Sequence, residues 1–165
     1  MLYQKLKQDR IQAMKNKDMK GKSILTYIVG ELDRKIKDNS LKESEVVVIE
    51  DKKVPNDKVV IDMLNKYRKD ALSNYKASHK GKAELYNFSF EDEAFDDEYL
   101  KEIQVYHRYL PVFIAYPKLD EMIDKIMADK PVKNAGPVIG MLKKEHGDAV
   151  DNAYVSEYVE QKLNQ

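Results

Sequence analysis

The chain has 165 residues, of which 42% are apolar and 35% are charged, so it can bury a core as one domain or two small ones. It contains no run approaching the roughly 20 apolar residues that span a membrane. It also has no cysteine, which excludes disulfides, thiolate nucleophiles and cysteine-ligated zinc. Since the first residues also lack the apolar segment of a signal peptide, we expect a cytoplasmic protein.

The formal net charge is zero, but the charges are unevenly distributed along the chain. Residues 1–37 carry ten Lys or Arg against four acids, whereas residues 84–102 carry eight acids against Lys101 alone. The N-terminal segment is therefore suited to attract phosphates, and the acidic segment repels them.

Two helices are predicted at the start of the chain. Apolar residues recur at helical spacing from Leu2 to about Met14, and again within Asp18 to Lys37. Residues 38–55 interrupt this pattern, because turn-forming residues are followed there by a β-branched run. We interpret residues 38–55 as a loop or a short extended segment.

The strongest helical pattern follows, from Asp57 to about Ala77. Pro55 suits the start of this helix. Its apolar stripe consists of Val60, Met63, Leu64, Tyr67, Ala71 and Tyr75.

The second half of the chain is also predicted to be helical. One helix is expected over residues 92–110, where acidic residues in the first turns suit the positive end of a helix dipole. Pro111 and Pro117 bracket the next connector and indicate a domain boundary. Three short helices are expected beyond it, over residues 119–128, about 135–145 and 152–163.

These elements predict an all-α protein with two helical domains. Residues 1–110 are expected to form an N-terminal bundle of about four helices. Residues 115–165 are expected to form a small C-terminal bundle of three helices.

Several segments, in this order along the chain, resemble known motifs. They are AMKNKD at 13–18, LNKYRKDALSNYKAS at 64–78, EIQVYHRYLP at 102–111, NAGPVIGMLK at 134–143 and VDNAYVSEYVEQKL at 150–163. Through them the chain resembles the GatB/YqeY family. Its freestanding members have a C-terminal half similar to the tail domain of the B subunit of the tRNA-dependent amidotransferase.

The resemblance implies a binding function. In the amidotransferase the chemistry belongs to other domains and subunits, while the tail domain handles tRNA. We therefore expect a non-catalytic RNA-binding adaptor, with tRNA, another structured RNA or a tRNA-handling enzyme as partner. No cofactor, membrane partner or amide-transfer activity is expected, and the oligomeric state is left open. Pro137 stands where the family often has lysine.

The candidate RNA-binding surface is the helix that begins near residue 135. Asn134 is predicted to be its N-cap, so that the first turn offers free N–H groups and a positive dipole end to a phosphate. Gly136 and Gly140 lie four residues apart on one face; the alternative is that they allow close packing of a neighbouring helix. The candidate residues are Lys133, Asn134, Gly136, Gly140, Lys143 and Lys144.

A secondary basic face is predicted in the N-terminal segment. It consists of Lys5, Lys15, Lys17, Lys20 and Lys22. The alternative for this face, and for Lys66, Arg68 and Lys69 on the long helix, is an ordinary solvated helical surface.

The acidic segment suggests a competing function. It could dock a basic partner, which would make the chain a protein-interaction module that does not bind RNA. A metal site is not expected there, because the spacing and central glycine of a calcium loop are missing. His79, His107 and His146 stand in no catalytic motif, and His107 is predicted to be structural.

Overall fold

A computed structural model describes residues 1–79, 89–91 and 95–165 of the chain. Within these residues the chain forms seven α-helices and one antiparallel β-hairpin. The elements are α1 Leu2–Lys15, α2 Met19–Lys37, β1 Val46–Ile49, β2 Lys52–Pro55, α3 Asp57–Ser78, α4 Glu98–Tyr106, α5 Tyr116–Asp129, α6 Gly136–His146 and α7 Asn152–Leu163. The predicted all-α class is confirmed, and the small hairpin is an addition to it.

The chain divides into two compact units. Among the described residues, unit 1 comprises 1–75 and 95–109, and unit 2 comprises 76–79, 89–91 and 110–165. One boundary therefore falls inside α3, and the other falls just before the proline-bracketed connector. The predicted N-terminal domain includes residues 76–79 and 89–91. In the structure these residues group with the C-terminal part of the chain.

In unit 1, α1 and α2 are joined by a tight turn and pack against each other, although Ile11 and Met14 at the end of the apolar stripe of α1 remain exposed. Leu6, Leu25 and Ile28 are almost completely buried. Lys17 adopts a left-handed backbone conformation, with φ of 58°, which reverses the chain. Asp18 then caps α2, because its Oδ1 atom accepts the N–H of Gly21 at 2.9 Å.

Residues 38–55 contain the β-hairpin. Val47 of β1 pairs with Val54 of β2 in an antiparallel register. The two residues of the turn, Glu50 and Asp51, both have positive φ values of 49° and 63°. Positive φ at both positions is typical of the type I′ turn that matches the twist of a hairpin. The sequence has Glu-Asp at these positions and not the Asn-Gly that usually marks a type I′ turn, so the hairpin could not be predicted from its turn residues.

The long helix α3 begins where the sequence predicted. Asn56 precedes it and accepts the N–H of Val59 through its Oδ1 atom at 2.9 Å. Its stripe of Val60, Leu64 and Ala71 is buried in unit 1.

The predicted fourth helix starts later than expected. Among the described residues of 92–110, α4 covers only Glu98–Tyr106, while residues 92–94 lie outside the described part of the chain. Asp97 sets the start, because its carboxylate accepts the N–H groups of Tyr99 at 2.8 Å and Leu100 at 3.1 Å. The backbone of Asp97 is extended and not helical, as is usual for an N-cap residue, so the helix begins at the next residue, Glu98.

Unit 2 contains the three predicted short helices, α5, α6 and α7, and each of them contacts the other two. The helix α5 begins three residues earlier than expected, at Tyr116, with Pro117 in its first turn. Each helix buries apolar side chains in the core of the unit: Leu119 lies on α5, Val138 on α6 and Val155 on α7.

A row of hydrogen bonds joins α5 to α7. Tyr154 donates to Asp120 at 2.6 Å, and Tyr158 donates to Asp124 at 2.9 Å. Since both pairs advance by four residues, the two helices run in the same direction. Burial, followed by the hydrogen bond with Asp124, raises the pKa of Tyr158 to about 12, so its hydroxyl remains a donor at neutral pH.

Asp151 holds the start of α7 from within unit 2. It is 7% exposed, and its Oδ1 atom accepts the N–H of Tyr154 at 3.3 Å. Its Oδ2 atom accepts the hydroxyl of Tyr116 at 3.0 Å and the ammonium group of Lys76 at 2.8 Å. This buried carboxylate therefore ties α7 to α5 and to the last turn of α3.

Candidate nucleic-acid interface

The outward surface of α6 carries four of the six residues that we predicted to contact RNA. An α-helix turns through about 100° per residue, so Gly136, Gly140, Lys143 and Lys144 fall within about 100° of arc. The centre of this arc lies opposite the buried stripe of the helix. We call these four residues the α6 face. All four are exposed.

The glycines of the α6 face are not used for packing. A Cβ atom added at Gly140 would meet no atom of the described residues within 4 Å. One added at Gly136 would meet the Oδ1 atom of Asn134 at 3.0 Å. The alternative that a neighbouring helix packs against them is therefore wrong for the described part of the chain. The glycines leave the helix backbone bare on its outer side.

The start of α6 differs from the prediction. Ala135, not Asn134, occupies the N-cap position. The Oδ1 atom of Asn134 accepts the N–H of Gly136 at 2.9 Å, and the N–H of Ile139 bonds to the carbonyl of Ala135 at 2.9 Å. Pro137 has no N–H. The first turn therefore offers a phosphate fewer free donors than expected, and most of the attraction must come from lysines.

Three lysines lie on α6 or just before it. Lys133, Lys143 and Lys144 are exposed and form no ion pair with any residue that the structure describes. By contrast, Lys162 of α7 lies 3.8 Å from the Oδ1 atom of Asp124. The acidic neighbour Glu145 lies 3.6 Å from the Nε2 atom of His146. The positive charge on and before α6 is thus available to an external anion.

The predicted secondary basic face consists of Lys5, Lys15, Lys17, Lys20 and Lys22. Two of these lysines are engaged: the Nζ atom of Lys5 lies 2.8 Å from Asp9, and that of Lys20 lies 3.1 Å from Glu98. The other three form no ion pair within the described residues. This face is therefore partly neutralised.

Two motifs that are far apart in the sequence meet in unit 1. Arg108, from EIQVYHRYLP, donates to the Oδ2 atom of Asp18, from AMKNKD, at 3.1 Å. The next residue, Tyr109, donates its hydroxyl to Asp9 at 2.7 Å. Burial acts to raise the pKa of Asp9, but hydrogen bonds from Lys5 and Tyr109 outweigh it and lower the pKa. Both motifs thus hold unit 1 together.

The basic segment of α3 contributes less surface charge than its composition suggests. Arg68 is 2% exposed and donates to the Oδ1 atom of Asn65 at 2.9 Å. It is therefore a buried residue and belongs neither to a binding face nor to a solvated one. Lys66 and Lys69 are exposed.

His107 lies near Arg68 in unit 1. Burial lowers the pKa of its imidazole to about 3, and the positive charge of Arg68 contributes in the same direction. His107 is therefore neutral at physiological pH, in keeping with a structural position.

The acidic segment is largely engaged with its own unit where the structure describes it. Asp97 caps α4. Glu98 lies 3.1 Å from Lys20 and 3.3 Å from Lys101. Glu102 accepts the hydroxyl of Tyr106 at 2.9 Å. Glu91 and Asp96 are exposed and form no ion pair with a residue that the structure describes, so they remain accessible to a basic partner.

Unit 1 also contains a group of lysines that the sequence did not predict as a site. Lys7, Lys37, Lys52 and Lys53 line one pocket of about 380 Å³, together with Tyr3, Asp33, Ile36 and Val54. The Lys-Lys pair of β2 was a possible signal, but only the hairpin brings it near α1 and α2.

The described residues contain neither a metal-binding cluster nor a membrane-spanning helix. No group of three or more histidine and carboxylate side chains there is arranged to hold a metal ion. No helix in the same part of the chain has the length and apolarity to cross a membrane.

The motifs that carry the family resemblance lie in both units, and one comparison with known proteins covers all of them. No curated protein matches the chain. The model of one family, described as Yqey-like protein, matches residues 3–163. Because this match covers nearly the whole sequence, the chain belongs to the Yqey-like protein family.

Proposed function

We propose that this protein is a non-catalytic RNA-binding adaptor of the cytoplasm, whose partner is tRNA or a tRNA-handling enzyme. The proposed contact surface is the α6 face with Lys133. Its proposed ligand is the phosphate backbone of a structured RNA.

One observation carries the proposal. Two exposed glycines, of which Gly140 has open space around it, share the outward face of α6 with two lysines, opposite the buried stripe. Gly136 and Lys143 are seven residues apart, which is about 10 Å along a helix. A surface without side chains at one end lets a sugar-phosphate strand approach closely, and the lysines at the other end neutralise its charge.

The organisation of unit 2 supports binding by a rigid surface. The α6 helix is positioned by two helices that hydrogen bonds hold in a parallel arrangement. A rigid helix fixes the backbone positions from which the lysines extend before the RNA arrives, so that only side-chain entropy is lost when these residues bind.

The double variant Lys143→Glu, Lys144→Glu tests the proposal. Binding of purified protein to a tRNA pool is measured by filter retention at several salt concentrations. The slope of log Kobs against log salt is negative, and each lost phosphate contact reduces its magnitude by roughly 0.7 to 0.9, so the slope of the double variant should be less steep by about 1.6. Affinity at low salt should fall at least tenfold.

Lys118→Glu, Lys125→Glu is the matched control, because both lysines are exposed on α5 of the same unit. It makes the same change in net charge and should weaken binding by less than threefold. No binding of the wild-type protein at low salt, or equal losses in both double variants, would refute the proposal. The competing function, docking of a basic protein without RNA, predicts the first of these results.

A further inference from the structure

The lysine pocket of unit 1, formed by Lys7, Lys37, Lys52 and Lys53, has a pronounced positive charge. Asp33 is the single acid among its lining residues. That carboxylate accepts the hydroxyl of Tyr3 and keeps its negative charge, so four lysines and one aspartate give the lining a net charge of +3. None of the four lysines forms an ion pair with a residue in the described part of the chain.

These lysines come from three elements. Lys7 lies on α1, Lys37 is the last residue of α2, and Lys52 and Lys53 begin β2. The two strand lysines are exposed, and the fold does not bury their side chains. Lys7 is partly covered, with its Nζ atom 5.1 Å from the centre of the Tyr3 ring. Four cations around one concave surface create a local positive potential that attracts anions.

We propose that the lysine pocket is a second RNA contact, which binds backbone phosphates without reading bases. This inference rests on the proposed function for the identity of the polyanion. The pocket itself argues for phosphate recognition, because its one aromatic residue, Tyr3, is 5% exposed and lies under Lys7, where no base can stack on it. RNA carries one charge per nucleotide and can engage several lysines at once.

An anionic membrane surface fits the pocket less well. Glu50 and Asp51 form the exposed tip of the hairpin, directly before Lys52. A flat bilayer would meet these two acids as it approached the strand, and its own negative charge would repel them. A narrow phosphate strand can enter the concave pocket beside the tip.

The experiment uses the full chain with Lys52→Glu and Lys53→Glu. The probe is the same tRNA pool, measured by filter retention from low to high salt. Removal of two phosphate contacts should make the negative slope of log Kobs against log salt less steep by about 1.6, and affinity at low salt should fall at least fivefold. A variant with Lys52→Gln and Lys53→Gln removes the charges without reversing them and should show the same change in slope.

The matched control is Lys42→Glu with Lys69→Glu, since both residues are exposed and outside the pocket. It should change affinity less than twofold. Circular dichroism of every variant verifies that the fold is retained. Equal losses in the control, or wild-type binding by both pocket variants, overturn the inference.

Parallel measurement of the α6 variant separates the two proposals. If the α6 variant binds weakly and the pocket variants bind normally, the second contact is wrong and the proposed function stands. If only the pocket variants bind weakly, the lysine pocket is supported and the α6 face is wrong. If the wild-type chain binds vesicles with 30% phosphatidylserine through Lys52 and Lys53 but does not bind tRNA, both proposals are overturned.

Discussion

At the residue scale, Gly21 leaves room for the carboxylate of Asp18, which caps α2. A Cβ atom at this position would lie 2.2 Å from the Oδ2 atom of Asp18 and 3.1 Å from the Nη1 atom of Arg108. The same Asp18 accepts the N–H of Gly21 and the guanidinium of Arg108. A methyl group would therefore displace a carboxylate that makes two hydrogen bonds.

Gly21→Ala should lower the free energy of unfolding by about 1 kcal/mol. Alanine gains up to about 1 kcal/mol of helix propensity, but loss of the cap costs about 1 kcal/mol and the lost Arg108 contact and steric strain add to it. Gly30→Ala on the same helix is the control, because an added Cβ would meet no described atom within 4 Å. Urea denaturation should show Gly30→Ala stabilised by up to about 1 kcal/mol. Equal stabilisation of both variants would contradict the explanation.

At the scale of elements, Asp151 joins α5, α7 and the last turn of α3 within unit 2 through one carboxylate. Its partner Lys76 is 15% exposed at the side chain, so the pair is shielded from water. Removal of one partner from a buried pair leaves the other charge uncompensated, which costs more than the pair itself contributes.

Asp151→Asn should therefore destabilise the protein by about 3 kcal/mol, as measured by urea denaturation. The double variant Asp151→Asn, Lys76→Met should recover part of this loss, because no unpaired ammonium group remains. Lys162→Met breaks the exposed contact with Asp124 and should cost less than about 0.5 kcal/mol. If Asp151→Asn and Lys162→Met have similar effects, the buried pair does not hold α7.

At the scale of the whole molecule, His107 makes stability depend on pH. Its folded-state pKa is about 3, lowered from 6.5 by burial and by Arg68. Below pH 6.5 the unfolded chain binds a proton that the folded chain does not bind. The contribution of His107 to stability should therefore be fully present above about pH 6.5 and should decrease as the pH falls toward 3.

Urea denaturation from pH 7 to pH 5 measures this effect, with a slope approaching 1.4 kcal/mol per pH unit for one proton. His107→Phe keeps an aromatic ring and removes the titration, so the slope between pH 6.5 and 5 should become shallower even if absolute stability changes. Identical slopes in the two proteins would show that His107 does not remain neutral in the fold.

Helix type and position followed from the sequence wherever periodicity was strong. The helices α1, α2, α3 and α7 begin within one residue of their predicted starts, because apolar spacing and capping residues are local signals. The start of α4 was missed, since acidic residues favour a helix N-terminus without indicating which of them becomes the cap.

The sequence by itself determined the all-α class, the family and the residues of the α6 face. The face was predictable because four side-chain positions on one helix depend only on helical geometry. Tertiary structure alone decided that Gly140 is open, that Arg68 is buried and that Asp9 and Asp18 bind the EIQVYHRYLP motif. It also assembled the lysine pocket. Each of these results depends on contacts between segments distant in the chain, for which one sequence contains no local signal.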